Sequence, residues 1–358
     1  MPKVYIIVLN WNGWRDTIEC LESVFRLDYE NFRVIVCDNA SEDNSLDRIA
    51  DWAGGSLAAG CSNPALHELI FPPYPKPVSY LRIGQRDRVS LESRSETLFL
   101  LQTGANLGFA GGNNVGLRLA LGAGDLDYAW LLNNDTVVEP GALSSLVAAM
   151  QTRPDVGLCG STLLYYHSPR TVQALGGSIY NRWTARGGHI GLGLDVDDIP
   201  PHRAVEFRMK YVVGASMFVR NSFLEQIGLL DERYFLYFEE IDWAKRAKGL
   251  FGLAYCPGSI VYHKEGASIG TSDVKGKRRS ELSDRFASRN RVLFTRIHHP
   301  AALATVIFAM LLSLLHRLLT GQIRSFTAIV KGISAGLFVR KNTAIGSAAS
   351  KGAAVPVR

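Results

Sequence analysis

The chain has 358 residues, of which 47% are hydrophobic and 20% charged, so it can bury a large core and is not a disordered protein. Its five cysteines are scattered without a Cys-x-x-Cys pair, which argues against a disulfide framework and a structural zinc site. The apolar run at residues 4–9 is too short for a secretory signal peptide. We therefore expect a globular protein of a reducing compartment, the cytoplasm.

The net charge of +6 is unevenly distributed along the chain. Residues 271–358 carry 15 Lys and Arg against three Asp and Glu, whereas residues 1–270 have a net charge of −6. A basic region on an acidic body indicates an anionic partner, such as a membrane surface, a lipid phosphate or a nucleic acid.

The first half of the chain alternates strands and helices. Apolar runs predict strands at residues 3–10, 32–37, 97–102 and 128–132, with helical spacing after the first two. Near-continuous apolar strands of this kind are typical of an α/β fold with a mixed, mostly parallel central sheet flanked by helices. Residues 54–95 interrupt this alternation of strands and helices with one glycine pair and several prolines. We interpret them as an inserted loop region that is ordered only in part.

Shorter elements follow in the second half. They are a helix at 142–150, strand material at 211–213 and 216–220, a helix at 239–248, and extended pieces at 253–256 and 259–263. After about residue 270 the composition changes to a basic, apolar and helical C-terminal region.

Polar clusters follow four of the predicted strands, at 10–12, 38–39, 104–116 and 133–135. Ligands of open α/β sheets bind beyond the carboxyl ends of the strands, so these clusters are candidate binding segments. Each cluster taken alone also fits ordinary turn chemistry. The glycine-rich segment 104–116 has neither G-x-G-x-x-G nor a Walker motif, although its backbone N–H groups could face a nucleotide or sugar.

Three groups are candidates for chemistry. Asp135 follows a strand and an Asn pair, where a carboxylate suits Mg²⁺ or Mn²⁺, and His263 could complete a Mn²⁺ shell or serve as a structural hydrogen-bonding residue. Glu239, Glu240 and Asp242 form an acidic cluster after an aromatic segment. They either complement the helix dipole or include a general base whose pKa is raised by apolar surroundings.

These motifs in this order resemble the family 2 glycosyltransferases of the GT-A fold, and within that family the rhamnosyltransferase-like branch. The resemblance covers roughly residues 3–270 and rests on IIVLNWNG with VCDNASEDNS, NLGFAGGNNVG, WLLNNDT, and GASMFVR, GLLDERYFLYFEEIDW and VYHKEGAS. It implies a nucleotide-sugar-binding catalytic domain at 1–270, with 54–95 inserted, followed by the C-terminal region 271–358.

The resemblance also implies roles for individual residues. The nucleotide and donor sugar would be held by Leu9, Asn10, Trp11, Asp38, Asn106, Gly108, Asn114, Asn133 and Asn134. The segment 133–135 matches the metal-binding Asp-x-Asp position with Asn in place of the first Asp, so Asp135 and His263 would hold the metal. Glu240 matches the catalytic base, which is usually Asp, and Asp242 is its nearest competitor.

The resemblance implies an inverting transfer of a sugar from a dTDP- or UDP-linked donor to a saccharide or lipid-linked acceptor in cell-surface polysaccharide synthesis. Rhamnose is suggested by the branch alone. Metal at Asp135 would stabilise the leaving diphosphate, and Lys264 or the basic run 275–279 could add positive charge.

The C-terminal region suggests where the reaction takes place. Residues 301–315 are almost entirely apolar and are flanked by arginines, a pattern that favours an interfacial helix on an anionic membrane surface. A buried core helix or a membrane span are the alternatives. We expect a peripheral protein on the cytoplasmic face of the membrane.

Three other functions compete with this interpretation. A non-catalytic binding protein of the same fold would explain why Asn stands in place of the first Asp of the metal-binding motif. A dinucleotide-dependent oxidoreductase would explain the early βαβ pattern, but the glycine fingerprint of such enzymes is missing here. A nucleic-acid binder is disfavoured because the basic tail lacks interleaved aromatic residues, and we expect no nucleic acid.

Overall fold

A computed structural model describes residues 1–87, 89–265 and 280–339 of the chain. Its strands are β1 Val4–Asn10, β2 Phe32–Asp38, β3 Tyr80–Ile83, β4 Leu98–Gln102, β5 Tyr128–Asn133, β6 Thr136–Val138, β7 Val156–Tyr165, β8 Ser168–Leu175, β9 Gly177–Asn181, β10 Arg186–His189, β11 Tyr211–Val212, β12 Ser216–Arg220 and β13 Gly252–His263. Its helices are α1 Trp14–Val24, α2 Ser45–Gly54, α3 His67–Ile70, α4 Gly108–Gly122, α5 Ala142–Gln151, α6 His202–Arg208, α7 Asn221–Ile227, α8 Glu239–Arg246, α9 Glu281–His298, α10 Leu303–Leu319 and α11 Ile323–Phe338.

A ten-stranded mixed sheet forms the centre of the molecule, in the order β3-β4-β2-β1-β5-β12-β7-β13-β6, with β8 paired to β7. The strands from β3 to β5 are parallel, and β12 enters antiparallel between β5 and β7. The predicted strands of the first half lie in this parallel part, within one or two residues of their expected ends. Their near-continuous apolar sequences are buried because helices cover both faces of the sheet.

Close packing explains part of the glycine-rich segment. A Cβ atom on Gly116 would lie 2.7 Å from Sγ of Cys37 and 2.8 Å from Cγ2 of Ile7, so only glycine lets α4 approach β1 and β2 this closely. Some of the glycines that looked like a ligand loop therefore serve helix–sheet contact.

Residues 156–189 form strands β7 to β10, which the sequence analysis did not predict. β9 pairs with β10 and β11 in a separate three-stranded sheet. The expected pieces at 253–256 and 259–263 are one strand, β13, with a register shift between Cys256 and Ile260. Pro257 and Gly258 lie in this irregular stretch and explain why the sequence suggested two pieces.

The inserted region 54–95 contains regular structure. It carries α3 and the edge strand β3, which pairs in parallel with β4 and so extends the central sheet. Lys76 forms an ion pair with the buried Glu22 of α1 at 3.2 Å, and the Tyr166 hydroxyl accepts from the backbone N–H of Ser62 at 3.1 Å. These contacts hold the insertion against the body, so it is more ordered than the sequence suggested.

The C-terminal helices pack on one another and on the three-stranded sheet. α9 lies against α11, where a Cβ on Gly336 would meet the carbonyl oxygen of Arg289 at 2.4 Å. α10 buries Val306, Met310 and Leu314 and exposes its other side. A buried core helix, one of the three alternatives, does not fit this exposure.

Candidate active site

A cleft of about 860 Å³ opens where several strands of the central sheet end. It is lined by nine of the predicted site residues: Leu9, Trp11, Asn106, Gly108, Asn133, Asn134, Asp135, Glu240 and His263. They come from β1, the start of α4, β5, α8 and β13, or from the loops beside these elements. The fold thus brings together side chains that are more than 250 residues apart in sequence.

Asn10 and Asp38 lie behind the cleft wall. Asp38 is almost fully buried, and its carboxylate accepts hydrogen bonds from Asn10 Nδ2 at 2.7 Å, Ser41 Oγ at 2.6 Å and Gln102 Nε2 at 2.9 Å. These bonds tie the ends of β1, β2 and β4 to one another. In this arrangement Asp38 fixes the shape of the wall rather than facing the cleft.

Asn39 lines the cleft, although the sequence analysis did not place it among the site residues. Its amide donates to Asn106 Oδ1 at 3.0 Å and to the Gly108 carbonyl at 3.1 Å, while its oxygen accepts from the backbone N–H of Leu107. Asn39 therefore holds the start of α4 in place. Its position directly after Asp38 at a strand end was the available signal.

Asn114 is buried within α4, away from the cleft wall. Its amide donates to the Leu230 carbonyl and to Glu232 Oε1, both at 2.9 Å, and its oxygen accepts from the backbone N–H of Leu230. It anchors the segment that leads to the acidic cluster.

Asp135 and His263 meet in the cleft, with Asp135 Oδ1 3.1 Å from His263 Nε2. The other ring nitrogen, Nδ1, lies 2.9 Å from Gln173 Oε1, and Asn133 Nδ2 lies 3.3 Å from Nε2. Burial lowers the pKa of His263, but the Asp135 carboxylate outweighs burial and raises it overall. The bond to Gln173 orients the ring so that Nε2 faces the carboxylate, which is how imidazole metal ligands are commonly held.

This pair fits a divalent cation that is shared with a diphosphate. The described residues contain no group of three or more His, Cys, Asp and Glu side chains able to enclose a metal by themselves. Mg²⁺ is usually held by one or two carboxylates together with substrate phosphates, and an imidazole ligand suits Mn²⁺. One carboxylate and one imidazole in an open cleft match that donor set.

Glu240 lies in the first turn of α8 with its carboxylate against Gly214. Burial raises the pKa of Glu240 to about 6, while hydrogen bonds from the backbone N–H groups of Glu240 and Gly214 act in the opposite direction. A Cβ on Gly214 would lie 2.5 Å from Glu240 Oε1, so a larger residue there would displace the carboxylate. Glu240 is ionised near neutral pH but close enough to its pKa to accept a proton.

Glu239 also lines the cleft. Burial, followed by repulsion from Glu240, raises its pKa well above the ordinary value. Among the described residues its Oε2 atom has no hydrogen-bond partner. Of the two adjacent acids, Glu240 is therefore the better candidate for the base.

Asp242 is held in a buried ion-pair network. Its carboxylate accepts from Arg246 Nε at 2.8 Å and lies 2.7 Å from His298 Nε2. Burial raises the pKa of Asp242, but the bond to His298 and the charge of Arg246 outweigh it and hold the pKa below the ordinary value. This carboxylate connects α8 to α9 and does not line the cleft.

The aromatic segment before α8 is held by α9. Phe235, Tyr237 and Phe238 have positive φ angles of 59°, 70° and 77°. The buried amide of Asn290 donates to the carbonyls of Tyr234, Leu236 and Tyr237 at 2.5, 2.8 and 3.0 Å. The unusual backbone of this segment is thereby fixed by the C-terminal region, a contact that sequence spacing could not indicate.

The expected positive charges near the diphosphate are placed differently. Lys264 forms ion pairs with Asp16 at 2.6 Å and with Glu19, and it does not line the cleft. Its charge is neutralised within the body, so the structure does not support the expectation for Lys264. The basic run 275–279 lies outside the described residues.

The sequence of this chain matches the model of glycosyl transferase family 2 over residues 5–59 and 90–209. The two matched segments together cover just under half of the chain, which is therefore similar to this family over that part. The two matched segments flank residues 60–89, which lie within the inserted region.

Two curated relatives are named for sugar transfer. The chain is 28% identical over 156 residues to the low-salt glycan biosynthesis hexosyltransferase Agl10 of Haloferax volcanii, covering 43% of this chain and 47% of the relative. It is 30% identical over 193 residues to the N-acetylglucosaminyl-diphospho-decaprenol L-rhamnosyltransferase of Mycobacterium tuberculosis, covering 48% of this chain and 60% of the relative. The chain thus matches about half the length of these relatives.

Solved structures agree with the fold. The mannosyltransferase PcManGT of Pyrobaculum calidifontis, in complex with GDP-Man and Mn²⁺, superimposes with a TM-score of 0.50 at 14% identity, covering 95% of this chain and 88% of that one. GalNAc-T7 with UDP, GalNAc and Mn²⁺ gives 0.54 at 12% identity, covering 85% and 51%. The chain has the GT-A fold, with the central sheet and flanking helices that the sequence predicted and a C-terminal helical extension.

Proposed function

We propose that this protein is an inverting glycosyltransferase that uses a nucleotide-diphosphate sugar as donor. One observation carries the proposal: the same cleft holds a base candidate, Glu240, and a metal-type pair, Asp135 and His263. We propose a dTDP- or UDP-linked donor, with rhamnose as the sugar, and a saccharide or lipid-linked acceptor. The name of the mycobacterial relative, which includes both rhamnose and a diphospho-lipid, supports this choice.

The chain's own residues would divide the work as follows. The Asn-rich ends of β1, β2 and β5 and the start of α4 hold the donor in the cleft. Glu240 accepts a proton from the attacking acceptor hydroxyl, whose oxygen then bonds to the anomeric carbon as the bond to the diphosphate breaks. A positioned base of this kind contributes about 10²- to 10⁴-fold to the rate.

Asp135 and His263 would hold a divalent cation, Mg²⁺ or Mn²⁺. When bound there, the metal supplies Lewis-acid stabilisation of the charge that develops on the leaving diphosphate. Asn133 stands where the metal-binding motif has its first Asp. This site therefore carries one negative charge fewer than a site with that Asp. Gln173 keeps the imidazole oriented through its bond to Nδ1.

We further propose that the enzyme acts at the cytoplasmic face of a membrane. Pro300–Leu319 is long and apolar enough to cross a membrane. Its mean hydropathy is 2.0, and 22% of its apolar stretch is buried in the protein. The helix α10 packs one side on the protein and exposes Phe308, Leu311 and Leu315 on the other. An apolar face with arginines nearby supports an interfacial helix that brings the cleft to a lipid-linked acceptor.

Glu240→Gln tests the proposed base. The amide keeps the shape of the side chain but cannot accept the proton, so we expect turnover to fall about 10²- to 10⁴-fold with donor affinity nearly unchanged. Sugar transfer from a panel of dTDP- and UDP-sugars would be measured together with thermal shift by the nucleotides, with and without Mn²⁺. Asp135→Ala should remove the metal-dependent stabilisation.

Near-normal turnover of Glu240→Gln would contradict the role of Glu240 as the base. If the membrane-bound protein bound a nucleotide sugar but transferred the sugar to no acceptor, a non-catalytic binding protein of the same fold would instead be favoured.

A further inference from the structure

Two arginines in the cleft have no acidic partner. Arg186, at the start of β10, and Arg291, in α9, both line the cleft, and within the described chain neither forms an ion pair. Arg291 donates through Nε and Nη2 to one backbone carbonyl, that of Thr184. Arg186 is exposed and Arg291 is partly buried, and no carboxylate among the described residues offsets either charge. Both charges are therefore available to an anion that enters the cleft.

The two guanidinium groups are close enough to repel each other. Burial, followed by repulsion from Arg186, lowers the pKa of Arg291 to about 10. Arg291 therefore remains charged at neutral pH, and this part of the cleft carries two positive charges. Guanidinium groups bind phosphate oxygens through paired hydrogen bonds, so an anionic phosphate group would relieve the repulsion.

A short series of contacts leads from Glu240 to these arginines. The charge of Glu240 contributes to the raised pKa of Tyr211, which places the two side chains near each other. A Cβ on Gly187, the residue after Arg186, would lie 2.7 Å from the Tyr211 hydroxyl. Tyr211 is thus close both to the proposed base and to the residue that follows Arg186. Arg186 lies in the three-stranded sheet and Arg291 in α9. The metal-type pair belongs to the ends of β5 and β13.

The neighbouring wall is apolar. Leu282, Met310 and Ile329 of the C-terminal helices line the same cleft, and α10 exposes further apolar side chains. Arg317 also lines the cleft, but it is paired with Asp284 at 3.7 Å and bonded to Ser313 and Ser325. A ligand that fits Arg186, Arg291 and this wall has an anionic head and an apolar chain.

We propose that Arg186 and Arg291 form a subsite for the diphosphate of the acceptor, a saccharide joined through a diphosphate to a lipid chain. This inference rests on the proposed function and specifies its acceptor. The saccharide hydroxyl would then lie at Glu240, the diphosphate at the two arginines, and the start of the lipid chain along α9, α10 and α11. The donor diphosphate occupies the separate position at Asp135 and His263.

Farnesyl diphosphate is a suitable probe because it carries the diphosphate and a lipid chain without a sugar. Its binding to the full-length protein would be measured by calorimetry with UDP and Mn²⁺ already saturating the donor site. We expect binding under these conditions, weaker binding of farnesol, and about tenfold to hundredfold weaker binding of the diphosphate by Arg186→Gln and by Arg291→Gln. Arg203→Gln, which removes an exposed charge of α6, should bind as the unmodified protein does.

Unchanged UDP affinity would show that each variant is folded. Because Arg186 is exposed, Arg186→Gln tests the subsite while the hydrogen bonds from Arg291 to Thr184 stay intact. The subsite would be refuted if UDP displaced farnesyl diphosphate, if both arginine variants bound it normally, or if the unmodified protein did not bind it. Equal binding of dihexanoylphosphatidylglycerol would also refute it, because the arginines would then contact ordinary membrane headgroups. Farnesyl diphosphate binding through both arginines in a protein that binds no nucleotide would overturn the proposed function and retain this subsite.

Discussion

At the scale of single residues, two adjacent glutamates differ in what they can do. Both face the cleft, and burial raises both pKa values. Burial and repulsion from Glu240 raise the pKa of Glu239 well above its ordinary value, whereas the pKa of Glu240 is raised to about 6. The two adjacent carboxyl groups therefore differ in acidity, and Glu240 is the better candidate for the base.

The pH dependence of activity follows from Glu240. A base must be deprotonated, and a carboxyl group is protonated below its pKa, so kcat/KM should rise with pH through about 6 and level off above it. A rate profile at constant ionic strength measures this limb. If Asp242 were the base, its lowered pKa would leave the profile flat in this range, and such a result would contradict the assignment.

Gly214→Ala should reduce turnover without unfolding the protein. The new methyl group would approach Oε1 of Glu240 to 2.5 Å and push the carboxylate away from its position. We expect kcat to fall about tenfold or more, with a circular dichroism spectrum and nucleotide affinity like those of the unmodified protein. Gly122→Ala is the matched control, because no atom lies within 4 Å of a Cβ there. Equal losses in both variants would argue against the contact.

At the scale of elements, α9 determines how the catalytic segment is held. Asn290 satisfies three carbonyls of the aromatic segment 234–238, and His298 binds Asp242 of α8. The C-terminal region is therefore part of the active site's support.

Asn290→Ala tests this support. It leaves buried carbonyls without a donor, which costs about 1–3 kcal/mol of folding free energy, and it should lower kcat because Glu240 follows the released segment. Urea unfolding and the pH profile of kcat/KM would be measured together. Arg285→Ala, an exposed change on the same helix, should alter neither quantity. A loss of stability with an unchanged kcat and pH profile would show that Asn290 serves folding alone.

At the scale of the whole molecule, the exposed side of α10 lies on the same extension that contributes to the cleft. Met310 and Ser313 of α10 line the cleft, and Leu311, Leu312 and Leu315 are about half exposed. One helix thus faces the candidate active site on one side and solvent on the other. This placement suits an enzyme that receives its acceptor from a lipid surface.

Membrane association should depend on that face. In flotation with vesicles containing phosphatidylglycerol, we expect the unmodified protein to float at low salt, to float less at high salt, and to remain in solution after Leu311→Glu with Leu315→Glu. Both side chains are exposed, so the fold should persist. The pair Phe207→Glu with Leu250→Glu, exposed elsewhere, is the control and should still float. Full-length protein that stays in solution at low salt would contradict the proposal.

The parallel half of the sheet was predictable, because β1, β2, β4 and β5 are uninterrupted apolar runs that suit strands buried on both faces. Strands β7 to β10 were not, since residues 156–189 mix glycine, polar and apolar residues. β7 is held by β12 and β13, and β9 pairs with β10 and β11 in the separate sheet. The edge strand β3 of the inserted region was not predictable either, because it depends on pairing with β4.

The sequence by itself determined the family motifs, the acidic cluster, Asp135 and His263, because these are local patterns at strand ends. Only the tertiary structure decided which of those residues face the cleft. Asp38, Asn114 and Asp242 turned out to be engaged in buried hydrogen bonds, and Arg186 and Arg291 were added to the cleft. The physical reason is that burial and long-range pairing set both the direction of a side chain and its charge. Burial and long-range pairing depend on the whole fold and cannot be read from the residues next to it in sequence.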